Sequence, residues 1–294
     1  MRRTGRFKRQ TTVRESAIVN NIKTFVRSWI PCAVCLAVIL LAGAPARAQG
    51  EKRTVFDPGD FHWQGSLKAG QTLEVLNTNG EIGATRASGQ AGSVAGIRGG
   101  DNDDHDLFIE VVEYADGVTV CAVYAKEKAP GRCHRGGVSS ESSHESHGHR
   151  AKINFDVQVP HGVLFHALTT NGAVHCVNLE SVVQAATTNG NVEVSTSEWA
   201  SAKTTNGSVR VAMGNAKWSG ELELITTNGR VDVTLPASSE FTVDAATTNG
   251  GIRSDFPITI QGTFGPKTLS GTVAGGGREL KLATTNGSIE LKKT

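Results

Sequence analysis

Along this 294-residue chain, short runs of alternating apolar and polar residues lead into and out of an Asn-Gly pair seven times, at Asn79, Asn171, Asn189, Asn206, Asn228, Asn249 and Asn286. Three and five residues after the Asn stand Ile82 and Ala84, Val174 and Cys176, Val192 and Val194, Val209 and Val211, Val231 and Val233, Ile252 and Ser254, and Ile289 and Leu291. Six and four residues before it stand Leu73 and Val75, Phe165 and Ala167, Val183 and Ala185, Ala200 and Ala202, Leu222 and Leu224, Val243 and Ala245, and Leu280 and Leu282. Period-two alternation of this kind predicts two half-buried strands per unit. The apolar phase is even before the Asn and odd after it, so the turn must bend the chain. Asn tolerates the left-handed backbone and Gly occupies it freely, which suits Asn-Gly to a corner.

Two folds accept this pattern. Asn-Gly between alternating runs is a strong hairpin signal, and an antiparallel meander would use Ser195 to Ser201 and Pro236 to Glu240 as its return turns. A parallel β-solenoid explains more. Five of the corners follow one another at steps of 18, 17, 22 and 21 residues, and near-identical corners are useful only when successive coils stack in register. Stacked Asn amides would then hydrogen-bond from coil to coil at about 4.8 Å spacing. Each such bond contributes on the order of 1 kcal/mol, and each buried Val roughly 1.5–3 kcal/mol. The aliphatic columns hold such a fold and the Asn columns set its register. The expected fold class is therefore all-β, a parallel β-solenoid with Asn-Gly corners.

The first 48 residues follow a different rule. Arg2, Arg3, Arg6, Lys8, Arg9, Arg14, Lys23 and Arg27 precede an apolar run from Trp29 to about Ala44, and Ala46-Arg47-Ala48 supplies a small-x-small cleavage motif. This predicts a secretory signal peptide over residues 1–48 and a single repeat domain over 49–294. An uncleaved anchor is the alternative, but the apolar run is shorter than the roughly 20 residues that a span prefers. The leader holds 9 of the 30 basic residues and 1 of the 28 acidic ones, leaving a net charge near −6 on the remainder. That balance removes the case for nucleic-acid binding. With 34 glycines and 5% aromatic residues, a narrow core of small and β-branched side chains is expected.

Periodicity lapses between Asn79 and Asn171. Before the lapse, Phe56, Phe61 and Trp63 are placed to cover the open end of the core, as terminal repeats require. Within it, Asp106 to Val112 and Val118 to Tyr124 predict a hairpin turning at Asp116-Gly117. Gly136 to Arg150 is a polar Ser-, Gly- and His-rich loop, so residues 101–150 form an insertion of hairpin plus loop. Cys121 and Cys133 flank a turn-rich stretch, and in an exported protein they are expected to pair. Cys176 fills the slot that Val194, Val211 and Val233 fill elsewhere, the place of a buried thiol acting as a small hydrophobe. The 37-residue step from Asn249 to Asn286 corresponds to two coils with one altered corner, or to one coil with a Gly-rich insertion.

The leader, the paired strands carrying Cys121 and Cys133, the passage INFDVQVPHGVLFHALTTNGAV and the run of TTNG-x-Val-x-Val units together resemble the bacterial adhesin-like β-strand repeat domain of unknown function, the putative adhesin family. The resemblance runs from about Phe56 to the C-terminus. It implies the fold and an adhesin-like role at the cell envelope, and no particular chemistry.

Candidate chemistry is sparse. The outward position four residues after each Asn reads Gly83, His175, Glu193, Arg210, Asp232, Arg253 and Glu290. With coils stacked in sequence order, Glu193, Arg210, Asp232 and Arg253 would alternate in sign as a ladder of exposed ion pairs. A glycosidase needs two carboxyl groups converging on one bond, which spacing alone does not reveal. His144, His147 and His149 are the candidate metal ligands, but His-Glu-Ser-His-Gly-His misses the i, i+4 helical spacing of zinc proteases. Asp101, Asp103, Asp104 and Asp106 lack the Gly and terminal Glu of an EF-hand loop. The paired threonines of Thr-Thr-Asn-Gly are explained as strand formers. No nucleophile elbow, phosphate loop or dinucleotide fingerprint occurs after the leader.

These readings converge on an exported, non-enzymatic scaffold, structural or adhesin-like, without a cofactor. It would be periplasmic, on the outer surface or extracellular, and without a stable membrane span once the leader is cut. Its expected partners are an envelope polymer, a glycan or a surface protein. Two other readings compete: a polysaccharide lyase or hydrolase on a parallel β-helix, and metal binding by the His-rich loop.

Overall fold

The structure is a computed structural model, and it describes residues 51–99, 106–125, 130–139, 151–260 and 265–294. All of them belong to one compact unit, Gln49–Thr294. Among the described residues there is no helix, hence none long and apolar enough to cross a membrane.

Seven coils carry the repeats. Each has one strand before its Asn-Gly corner and one after it: coil I Thr72–Leu76 and Ile82–Arg86, coil II Leu164–Leu168 and Val174–Leu179, coil III Val183–Ala186 and Val192–Thr196, coil IV Ala200–Lys203 and Val209–Met213, coil V Glu221–Ile225 and Val231–Leu235, coil VI Phe241–Asn249 and Ile252–Ser254, coil VII Arg278–Asn286 and Ile289–Lys293. The leading strands pair side by side in parallel within a twelve-stranded sheet, the trailing strands within a ten-stranded one. The fold is a parallel β-solenoid, and the meander is excluded because no two strands joined by an Asn-Gly corner pair with each other.

Alternation puts one face of each sheet inward. Val192, Val209 and Val231 are fully buried, as are Leu222, Leu224, Val183 and Phe165. The apolar positions read from the sequence thus form continuous internal columns, and this burial is the largest stabilising contribution in the array.

Both ends of the core carry aromatic plugs. Phe56 packs edge-on to Phe61, and Phe61 to Phe155 in the strand Lys152–Val159. At the other end Phe241 lies against Trp218 and Phe256. The hairpin expected in the gap is present as Leu107–Tyr114 and Gly117–Tyr124. Rather than standing apart, it extends the twelve-stranded sheet below coil I, with Gly117–Tyr124 parallel to Thr72–Leu76.

The stacking order departs from the sequence order. Coil VII lies between coils V and VI: Glu221–Ile225 pairs with Arg278–Asn286, which pairs in turn with Phe241–Asn249. On the second sheet Val231–Leu235 pairs with Ile289–Lys293, and that strand with Ile252–Ser254. The 37-residue step therefore holds a return excursion, in which Thr268–Val273 pairs antiparallel with the far edge of coil VI before the chain crosses back and inserts its last coil.

Candidate functional site

The Asn-Gly corners form one ridge. Asn249 donates its amide N–H to Asn286, and the chain of side-chain bonds continues through Asn228, Asn206, Asn189 and Asn171 to Asn79, each Nδ2 to Oδ1 at 2.7 or 2.8 Å. The corner asparagines are not in the left-handed region; among non-glycine described residues only Asn178 and Ala274 are. Close approach, more than backbone freedom, selects Gly at the next position. A Cβ on Gly207 would lie 1.9 Å from the carbonyl oxygen of Gly190, and one on Gly229 would lie 2.0 Å from that of Gly207.

The same carbonyls explain the first Thr of each motif. Thr204 Oγ1 donates to Gly190 O at 2.9 Å, Thr226 to Gly207 at 2.7 Å and Thr284 to Gly229 at 2.9 Å. Thr187, Thr169 and Thr247 do the same one coil apart. These inner threonines are buried and the outer ones are not. The two look alike in sequence, and strand propensity alone did not separate them.

A charged column runs along the outer face of the second sheet. His175 Nδ1 lies 3.5 Å from Glu193, Arg210 lies 2.5 Å from Glu193 and 3.7 Å from Asp232, and Lys292 lies 2.8 Å from Glu290. The expectation that Arg253 follows Asp232 is corrected by the position of coil VII. Glu290 stands between them, so the column reads His175, Glu193, Arg210, Asp232, Glu290, Arg253. Two carboxylates are therefore neighbours. The Lys292 ammonium holds the Glu290 carboxyl below the usual carboxylate range, so it stays ionised at neutral pH and is a poor proton donor. Asp232 is buried beneath its neighbours, and its Oδ1 has no hydrogen-bond partner. On the first sheet Lys281 bridges Glu221 and Glu223, and Lys203 also reaches Glu223.

A second feature sits on the outer face of the hairpin. Cys121 and Cys133 are joined by a disulfide, which lies in a small outer core with Leu76, Phe108, Val112 and Val123. Two fully buried carboxylates tie the segment 130–139 down. Glu110 accepts the backbone N–H of Gly131, Arg132 and Cys133 at 2.7, 3.1 and 2.9 Å and pairs with Arg53 at 3.0 Å. Glu74 accepts the Thr119 hydroxyl and the N–H of Gly136, both at 3.0 Å. Burial pushes the Glu110 carboxyl up, but the Cys133 and Gly131 amides and Arg53 outweigh it and hold it below its ordinary range. Arg135 closes the arrangement, bonded to Asp116 and stacked 4.6 Å from the Tyr114 ring centroid. Period-two reading marks Glu74 and Glu110 as outward; the signal that they are covered is Val118 to Val123, apolar in both phases except at Thr119.

The remaining candidates lie elsewhere. His144, His147 and His149, with Asp101, Asp103 and Asp104, fall outside the described residues. Cys176 is buried among the aliphatic columns, and burial pushes its thiol up to about 12, which makes it an inert packing group. A shallow cavity of about 290 Å³ is lined by Leu67, Arg86, Gln90 and His161 among others. Two of its lining residues, Arg86 and His161, pair with Glu180 at 2.6 and 3.2 Å.

Comparison with known proteins adds the family. Residues 165–292 match the family model described as Toastrack DUF4097. A crystal structure of a "putative cell adhesion protein" from Clostridium sporogenes aligns at 10% identity over 80% of this chain and 100% of its own, with a TM-score of 0.45. A "putative adhesin" from Bacteroides fragilis aligns at 12% identity over 81% and 99%, with a TM-score of 0.26. No curated protein matches. From Phe165 in coil II to Lys292 in coil VII, the chain is similar to the Toastrack DUF4097 family, whose model spans somewhat less than half of its length.

Proposed function

We propose that this chain is an exported, non-enzymatic adhesin-like scaffold whose contact surface is the outer face of the ten-stranded sheet. The supporting observation is the charged column His175, Glu193, Arg210, Asp232, Glu290, Arg253, one residue per coil at β-strand spacing. On one side it is flanked by Ala173, Asn191, Ser208, Arg230 and Ser288, on the other by Ser195, Ala212, Thr234 and Lys292. A periodic line of charge, with small flanks over coils II to IV and the cations Arg230 and Lys292 beyond them, suits an extended partner that repeats along its own length, and an envelope glycan or polymer has that character. The leader over residues 1–48 fits delivery to that compartment, leaving residues 49–294 as the working domain.

The same column weighs against catalysis. Its acids are matched to cations on a sheet face, and Glu290, beside Asp232, is held ionised by Lys292. Glycoside hydrolysis needs one carboxyl kept protonated across from another.

The test is co-sedimentation of the intact mature chain with isolated envelope polymer, run beside a glycan array. Wild type should bind and Arg210→Glu, which faces Glu193 and Asp232, should bind at least tenfold more weakly while melting within a few degrees of wild type. Equal binding by both proteins would remove the column from the interface, and release of reducing ends or unsaturated sugars would replace the scaffold with an enzyme.

A further inference from the structure

The place of the last coil carries a second reading, independent of what the sheet face binds. Coil VII follows the other six in sequence, yet it is an interior layer of the stack. Its leading strand has coil V on one side and coil VI on the other, and its trailing strand likewise. Removing it leaves a slot one coil wide. On the first sheet the slot is matched to its occupant in charge as well as in shape, whereas on the second Glu290 of coil VII stands between Asp232 and Arg253. Lys281 bonds to Glu221 and Glu223 of coil V and lies in register with Asp244 of coil VI. Closing coil VI directly onto coil V would bring Glu223 opposite Asp244, two like charges with no cation between them. Trp218 also donates its indole N–H to Glu279 O at 3.0 Å.

Thr294 N–H bonds to Leu235 O at 3.0 Å. The chain enters coil VII through the segment that crosses back from Thr268–Val273. There Ala274, Gly275, Gly276 and Gly277 are consecutive residues with positive φ, at 49, 93, 87 and 140°. Ala274 is exposed and left-handed, a conformation that opening of the segment would relieve. None of the contacts made by coil VII depends on which chain supplies it.

We infer that the slot between coils V and VI is a strand-acceptor site for coil VII of a second copy of this chain, so that two copies join by exchanging their C-terminal coils. The closed monomer and the exchanged dimer share every contact of the slot and differ in the crossing segment and in protein concentration. Refolding, when slots are empty, is when exchange occurs.

Cross-copy trapping tests this on the intact chain. Ile225 and Ala283 are register partners across the slot, one on coil V and one on coil VII. One preparation carries Ile225→Cys and the other Ala283→Cys, each with Cys176→Val, Cys32→Ser and Cys35→Ser so that outside Cys121 and Cys133 the introduced cysteine is the only one left. The two are mixed, unfolded with the Cys121–Cys133 disulfide intact, refolded by dilution and oxidised. A two-chain band on a non-reducing gel, growing with the protein concentration at refolding, is the expected result. A chain carrying both substitutions should close the bond within itself and show that the geometry is competent. If it does so and the mixture gives no two-chain band at any concentration, the inference is overturned. Light scattering of refolded wild type provides a readout that needs no substitution. A species of twice the monomer mass should appear at high concentration and diminish when four glycines are inserted after Gly276, because short hinge segments favour exchange. Monomer alone at every concentration would also overturn it.

Discussion

Asn286 donates its side-chain N–H to Asn228 at 2.7 Å across 58 residues of chain, and Asn249, the next corner after Asn228 in sequence, donates instead to Asn286. The ladder is thus continuous in space and out of order along the chain. An internal member such as Asn206 both donates to Asn189 and accepts from Asn228. Among the described residues Asn249 makes one bond in the ladder, to Asn286.

Substitution at these two places should therefore differ by a factor of two. Each exposed amide bond contributes about 0.5–1.5 kcal/mol. Asn206→Ala, which removes two bonds, should lower the unfolding free energy by about 1–3 kcal/mol, and Asn249→Ala by about half that. Denaturant unfolding of the two variants checks the ratio; equal losses would mean that the amide chain is ornamental.

Glycine at the corner gives a sharper contrast. A methyl on Gly207 would collide with the Gly190 carbonyl 1.9 Å away, and its nearest neighbours are all backbone atoms of Gly190 and Asn191, with no flexible side chain to yield. Gly89 has nothing within 4 Å and no left-handed φ. Gly207→Ala should prevent the coil from stacking, seen as a loss of more than about 4 kcal/mol or of soluble protein. Gly89→Ala should change stability by no more than about 0.5 kcal/mol.

The inner and outer threonines should also behave differently. Thr226 is buried and its hydroxyl donates to Gly207 O, whereas Thr227 points outward at the ridge. Thr226→Val keeps the shape and leaves a carbonyl without its donor, at a cost of about 1–3 kcal/mol. Thr227→Val should be within about 0.5 kcal/mol of wild type. Thermal melts of the pair decide whether the hydroxyl or the β-branch is what the motif requires.

How much of the fold could be read from the sequence depends on the kind of information a repeat carries. Val192, Val209 and Val231 announce their burial because period two and a fixed distance from Asn are local properties. The neighbour of Asp232 is not local. Spacing states which residues share a register but not which coil lies next, so Glu290 could not be placed beside Asp232 before the stack was seen. The same holds for Lys281, which reads as a solvated residue until Glu221, Glu223 and Asp244 flank it. Glu110 and Glu74 were hidden for another reason. Their cover is residues 130–139, a segment without periodicity, and only the run Val118 to Val123, apolar in both phases except at Thr119, hints that the outer face is closed.

Glu110 supplies a prediction in pH. In the folded chain burial pushes its carboxyl up, but the backbone N–H groups of Cys133 and Gly131 and the Arg53 guanidinium outweigh that and hold it below the unfolded value of about 4.3. A depressed folded value means that the stabilisation is complete above the unfolded value and is lost as pH falls through the folded one. Glu110→Gln keeps the size and removes the charge, so at pH 7 it should cost about 1.5–3 kcal/mol. The gap between wild type and variant should then shrink as the pH is lowered from 5 towards 2, since protonation makes the wild-type side chain neutral as well. Denaturant unfolding at several pH values measures that gap, and amide exchange at Gly131, Arg132 and Cys133 locates it. A gap that stays constant through the acid range would show that Glu110 acts by packing, with its charge playing no part in holding the segment.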